Sequence, residues 1–139
     1  MGQLVSAMMK YPNMRSELVG YLEGLSDLDY QVRNWVKLEC LKEGKEDCLD
    51  FTINFLFDDT DLGSNSNALI GVFLRNSEEA GSLKVLCDAI DAILDKYGTH
   101  LSDEEYIQKP EWQDVVKKAS ESLALIRKYD SQENESNIS

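Results

Sequence analysis

From Ala80 to Tyr97 the apolar side chains stand at Ala80, Leu83, Leu86, Cys87, Ile90, Ile93, Leu94 and Tyr97. That spacing keeps them on one side of a helix of about 3.6 residues per turn. Asn76 with Glu79 offers a capping box at its start, and Gly98 is placed to end it. A second stripe, Trp112, Val115, Val116, Ala119, Leu123 and Ile126, follows Pro110, which suits a first helical position. Helices of this kind must bury their apolar faces, and a bundle is the simplest solution.

The remaining segments fit the same architecture. Asn13 can cap a helix carrying Met14, Leu18, Tyr21, Leu22 and Leu25 on one face. Ser26 and Asp29 make a capping-box-like start for a second helix with Leu28, Val32, Trp35 and Val36 as its stripe. The short joint between them predicts a helical hairpin. Leu41 to Asp47 is polar and reads as a loop. Phe51, Ile53, Phe55 and Phe57 alternate like a strand, whereas Leu49, Ile53, Leu56 and Phe57 follow helical spacing. No second strand offers pairing, and a lone strand would leave backbone groups unsatisfied, so a short buried helix is favoured. Gly63 to Asn67 reads as a turn, and Ser102 with Glu105 as the start of a short helical turn. The expectation is an all-α, compact single-domain helical bundle over residues 10–129, with one strand-like segment near 50–57 as its ambiguous part. Residues 1–9 read as an N-terminal extension and 130–139 as a mobile polar tail.

Composition supports one core. The chain has 139 residues, 42% of them hydrophobic, enough to fold without disulfides. Cys40, Cys48 and Cys87 are odd in number and far apart, which points to reduced thiols in a cytoplasmic protein. The opening residues lack a basic start and a signal-length apolar core, and Gly2 with Ser6 matches a myristoylation pattern only loosely. No run approaches the ~20 apolar residues of a membrane span. Against 14 Lys and Arg stand 26 Asp and Glu, a formal net charge of −12. Such a surface repels nucleic-acid phosphates and anionic lipid and favours basic partners.

The sharpest local concentration of charge is Asp58, Asp59 and Asp61, directly after the apolar run Phe55-Leu56-Phe57. Carboxylates this close can ligate a hard cation. A calcium loop is not formed, because Gly63 then falls where a ligand belongs and Ser64 where the sharp-turn glycine belongs. Carboxylates at a helix C-terminus also oppose the helix dipole, a local conflict that hints at an external contact. His100 has no evident nucleophile beside it, and no Cys-x-x-Cys pair or phosphate-binding glycine motif is present. Trp35 and Trp112 read as core anchors, and Tyr11, Tyr30 and Tyr106 as candidates for the surface. The residues define no catalytic group, no metal site and no cofactor.

Three segments carry a resemblance: Tyr11-Pro12-Asn13-Met14-Arg15-Ser16-Glu17-Leu18, Phe55-Leu56-Phe57-Asp58-Asp59-Thr60, and Ile70-Gly71-x-Phe73-Leu74-x-Asn76-x-x-Glu79. With Pro110-x-Trp112 they resemble a family of short, largely uncharacterised bacterial proteins over about Lys10 to Ile126. Members are similar to the small immunity proteins that accompany bacterial toxins. The resemblance implies stoichiometric inhibition of a basic protein partner, such as a nuclease toxin, without turnover. Asp58, Asp59, Asp61, Glu78, Glu79 and Tyr106 are the expected partner-binding residues. The alternatives are a metal-dependent hydrolase or metal-binding domain using the three aspartates, and a helical adaptor unrelated to toxins. Oligomeric state is left open.

Overall fold

A computed structural model describes residues 9–36 and 48–138. The expected loop at 41–47, Cys40 and most of the N-terminal extension lie outside the described residues. Among the described residues seven α-helices follow in order: α1 Pro12–Leu25, α2 Leu28–Gln31, α3 Leu49–Ile53, α4 Leu62–Asn65, α5 Ser77–Tyr97, α6 Asp103–Ile107 and α7 Trp112–Ile138. Helix α2 runs on into a π-helical turn, Val32–Val36, and α3 into another, Asn54–Asp59, while α4 is followed by a 3-10 turn, Ser66–Leu69. The described residues contain no strand, only an isolated bridge between Ile70 and Leu74. The chain is an all-α bundle, and no described helix is long and apolar enough to cross a membrane.

Helices α5 and α7 share the most extensive contact, and α1 packs on α7. Leu18, Leu22 and Leu25 of α1, Leu83 and Leu86 of α5, and Val115, Ala119 and Ile126 of α7 are completely buried. Each buried leucine contributes about 1.5–3 kcal/mol relative to exposure. Between α5 and α7 the hydroxyls of Ser82 and Ser122 meet at 2.6 Å, so small residues there bring the two backbones close. Trp35 and Trp112 meet edge-on with ring centroids 6.3 Å apart, placing both in the core as their stripes require.

The ambiguous segment is helical throughout, because a helix satisfies its own backbone while a lone strand does not. Its π turn closes with the Thr60 N–H donating to the Phe55 carbonyl at 3.0 Å. The Thr60 hydroxyl donates to the same carbonyl at 2.6 Å. The wider turn lets the adjacent Phe55 and Leu56 both face the core.

Several local expectations are corrected. Tyr11, not Asn13, holds the N-cap position of α1, with Pro12 pre-set for the first turn and no side-chain cap. Backbone bonds tie that entry instead, from the Tyr11 N–H to the Val72 carbonyl at 2.7 Å and from the Lys10 N–H to the Gly71 carbonyl at 3.2 Å. Ser26 ends α1, and the Asp27 carboxylate caps α2 by accepting from the Tyr30 N–H at 3.0 Å. Leu28 is consequently off the buried stripe, and Gln31 takes an interior position. Gly63 to Asn67 is helical, not an open turn. Its glycine is demanded by packing: a Cβ at Gly63 would stand 2.5 Å from the Phe57 ring. Helix α7 begins two residues beyond Pro110 and continues to Ile138, so the polar segment after Asp130 extends the helix. The Ser102–Glu105 capping box and the termination of α5 at Gly98, with φ of 88°, form as expected.

Candidate functional site

Two of the six residues expected at a partner surface are interior. Glu79 has no solvent exposure, and both its oxygens face Arg15, at 2.9 Å from Nη1 and 2.8 Å from Nη2. Asn76 does cap α5, through Glu79 N–H at 3.0 Å, but the Glu79 side chain does not complete the box. It accepts instead from the Arg75 N–H at 2.8 Å. Arg15 also donates to the Phe73 carbonyl at 2.9 Å and to Asp130 from Nη2 at 2.9 Å. The same Asp130 oxygen accepts from Arg75 Nε at 2.8 Å. Burial works to lower the Arg15 pKa, but hydrogen bonds and charge from Glu79 and Asp130 outweigh it and hold the guanidinium above its ordinary value. Two arginines and two carboxylates make this hub neutral, so its carboxylates do not advertise charge to a partner. Tyr106 is likewise buried, with its hydroxyl donating to the Gly98 carbonyl at 2.6 Å, and it braces the end of α5.

The other four are exposed. Glu78 sits in the first turn of α5 near the Tyr129 hydroxyl, and its carboxylate raises the tyrosine's pKa. Asp61 adopts a left-handed backbone with φ of 59°, and its carboxylate accepts from the Asn65 amide at 2.6 Å. Asp58 and Asp59 end the π turn, and neither has an ion-pair partner among the described residues. Their position follows from the turn: Phe55, Leu56 and Thr60 are turned inward, which leaves the intervening aspartates outward.

Asp59 lines an open depression of about 540 Å³ with Glu17, Gly20 and Tyr21 of α1. Tyr21 is fixed there by Phe55, ring centroids 4.7 Å apart. A smaller depression of about 270 Å³ adjoins through Glu17 and includes Tyr11 and Met14. Tyr11 is 48% exposed, whereas Tyr30 is half-buried and Tyr106 buried. The arrangement supplies carboxylates beside partly covered aromatic rings, chemistry suited to Lys and Arg side chains. Of the expected six, only Asp59 lines this depression. Glu17 was missed because an exposed glutamate within an amphipathic helix looks like any solvated position.

No group of three or more His, Cys, Asp or Glu among the described residues is placed to hold a metal ion, so the three aspartates do not converge as a metal reading requires. His100 is exposed beyond the end of α5. Burial pushes the Cys87 thiol up to about 12, away from the thiolate a nucleophile needs, and burial also raises Cys48. Gln31 is another interior polar group with no local signal in the sequence. Its amide donates to the Gly24 and Leu25 carbonyls at 2.9 and 3.0 Å and accepts from Trp112 Nε1 at 2.8 Å. It thereby satisfies the Leu25 carbonyl at the end of α1 and adds to the backbone bond that the Gly24 carbonyl accepts from Asp27 N–H.

The chain belongs to the family described as Domain of unknown function (DUF7945), which matches residues 9–134. No curated protein and no solved structure matches it. Within that span lie the Arg15–Glu79–Asp130 hub, the Gln31–Trp112 bond and the acidic depression on α1.

Proposed function

We propose that this chain is an acidic protein-binding domain that captures a basic protein stoichiometrically, and that it serves as a bacterial immunity protein against a cognate toxin. The observation that carries the reading is the convergence of Asp59 and Glu17 on one depression beside Tyr21, with Asp58 exposed next to them. A net charge of −12 steers a cationic partner toward such a surface. A tyrosine fixed against Phe55 supplies apolar contact at little entropic cost. The domain works by occupying the partner's cationic cleft, and no bond is made or broken. The metal-dependent alternative loses support because the aspartates do not gather around a common point. An adaptor would use the same surface, and the neighbouring reading frame separates the two.

The test is capture of the basic protein encoded beside this chain. Binding at one-to-one stoichiometry is expected, with Asp58→Asn/Asp59→Asn weakening it by about tenfold through loss of two interfacial charges, each worth about 1 kcal/mol or less. Absence of binding, or full affinity in the double variant, contradicts the assignment.

A further inference from the structure

On the other flank of α1 a third recess, of about 470 Å³, is lined by aliphatic side chains as well as carboxylates. Leu28 opens α2 with 45% of its surface exposed and lines this recess together with Leu123 of α7. An uncovered leucine is unremarkable when it stands alone on a convex surface. This one stands in a concavity bordered by Glu23, Asp27 and Asp29. Arg127 is the one cation among the described lining residues and is held by Glu23 at 2.8 Å. Three carboxylates against one guanidinium leave the border net negative. Asp27 gives one oxygen to the Tyr30 N–H, and Asp29 has no ion-pair partner among the described residues.

We infer that this recess receives a short basic segment of the protein partner, one aliphatic side chain resting on Leu28 with Lys or Arg residues on either side. Charge selects this occupant over others. A second copy of the chain brings a further −12 to the contact. Nucleic acid and anionic lipid meet the same repulsion. The recess is open, so an extended segment enters without rearrangement of the bundle. The exposed Glu23–Arg127 pair is weakly held, because water screens both groups, and an incoming cation can take Glu23 from it. The inference rests on the basic-partner reading but concerns a face distinct from Asp58 and Asp59.

The probe is the peptide Gly-Lys-Arg-Leu-Arg-Lys-Gly, titrated into the full chain and followed by amide chemical shifts. A control peptide carries Ser in place of Leu. Shifts centred on Leu28 and Leu123 are expected, with affinity reduced about tenfold or more for the Ser peptide and for Leu28→Ser, through lost apolar burial. Asp58→Asn/Asp59→Asn leaves peptide affinity unchanged, so failure of the partner-capture experiment and failure of this one are read separately. Leu28 is exposed, so its replacement leaves the fold intact. Equal affinity for the Leu and Ser peptides, shifts confined to the Asp58 end, or no binding overturns the inference.

Discussion

Arg15 donates to Phe73, Glu79 and Asp130, which lie 58, 64 and 115 residues further along the chain. One guanidinium thus joins α1 to the start of α5 and to α7. Removing one partner strands the other charge in the interior. Arg15→Met and Glu79→Ala should each destabilise the fold by about 3–5 kcal/mol, and the double variant by less than their sum. Urea denaturation of the four proteins measures this, and additive losses contradict a coupled hub. Arg15 was visible in its motif, but nothing local marks it as buried, because every partner is remote in sequence. Glu79 misled for a related reason: three residues after Asn76 it looks like a cap, whereas tertiary structure engages it elsewhere. Glu111 provides a pH signature. The Lys96 ammonium, followed by the Tyr97 hydroxyl, holds its carboxyl down at about 2 from an ordinary 4.5. The sign is that of a depressed acid: its stabilisation is complete above the ordinary value and is lost as pH falls toward about 2. Glu111→Gln should flatten the acid limb of the stability curve in that window, as read by denaturation at a series of pH values. An unchanged limb contradicts the assignment.

The long helices were legible because their apolar periods run for several turns and end in recognisable caps. The stripes of α5 and α7 meet where they should, and the Ser102 box forms. Short elements were not legible. Helix α4 has four residues, too few to display a period, and its Gly63, Ser64 and Asn65 resemble a turn. What decides there is packing of the Phe57 ring over Gly63. Gly63→Ala should therefore destabilise by about 1–3 kcal/mol despite being a helix-favouring change, because the ring must move. The cost should shrink in a Phe57→Leu background. Thermal unfolding of the two single variants and the double variant measures the coupling, and a neutral or stabilising Gly63→Ala contradicts the packing account. The extension of α7 past Asp130 was hidden for another reason. A polar helix shows no stripe, and Asp130 is drawn in by Arg15 and Arg75 rather than by apolar contact.

For the whole molecule, the acidity divides into two populations. Glu79 and Asp130 are neutralised inside the hub, while Asp58, Asp59, Glu17, Asp27 and Asp29 face outward. Composition predicted the excess charge but not this partition, since burial is set by where helices cross. The same limit explains Tyr106, whose ring and hydroxyl are both used at the end of α5. The outward set lies along the flanks of α1, and the apolar motif residues beside it hold the frame in place. Under the proposed function this outward charge binds a basic protein. Calorimetric titration of the chain with the basic protein encoded beside it, repeated across a range of salt concentrations, is the decisive measurement. The account predicts one-to-one binding whose affinity falls as salt rises, with a smaller fall for Asp58→Asn/Asp59→Asn. Affinity independent of salt, or no heat of binding at all, contradicts it.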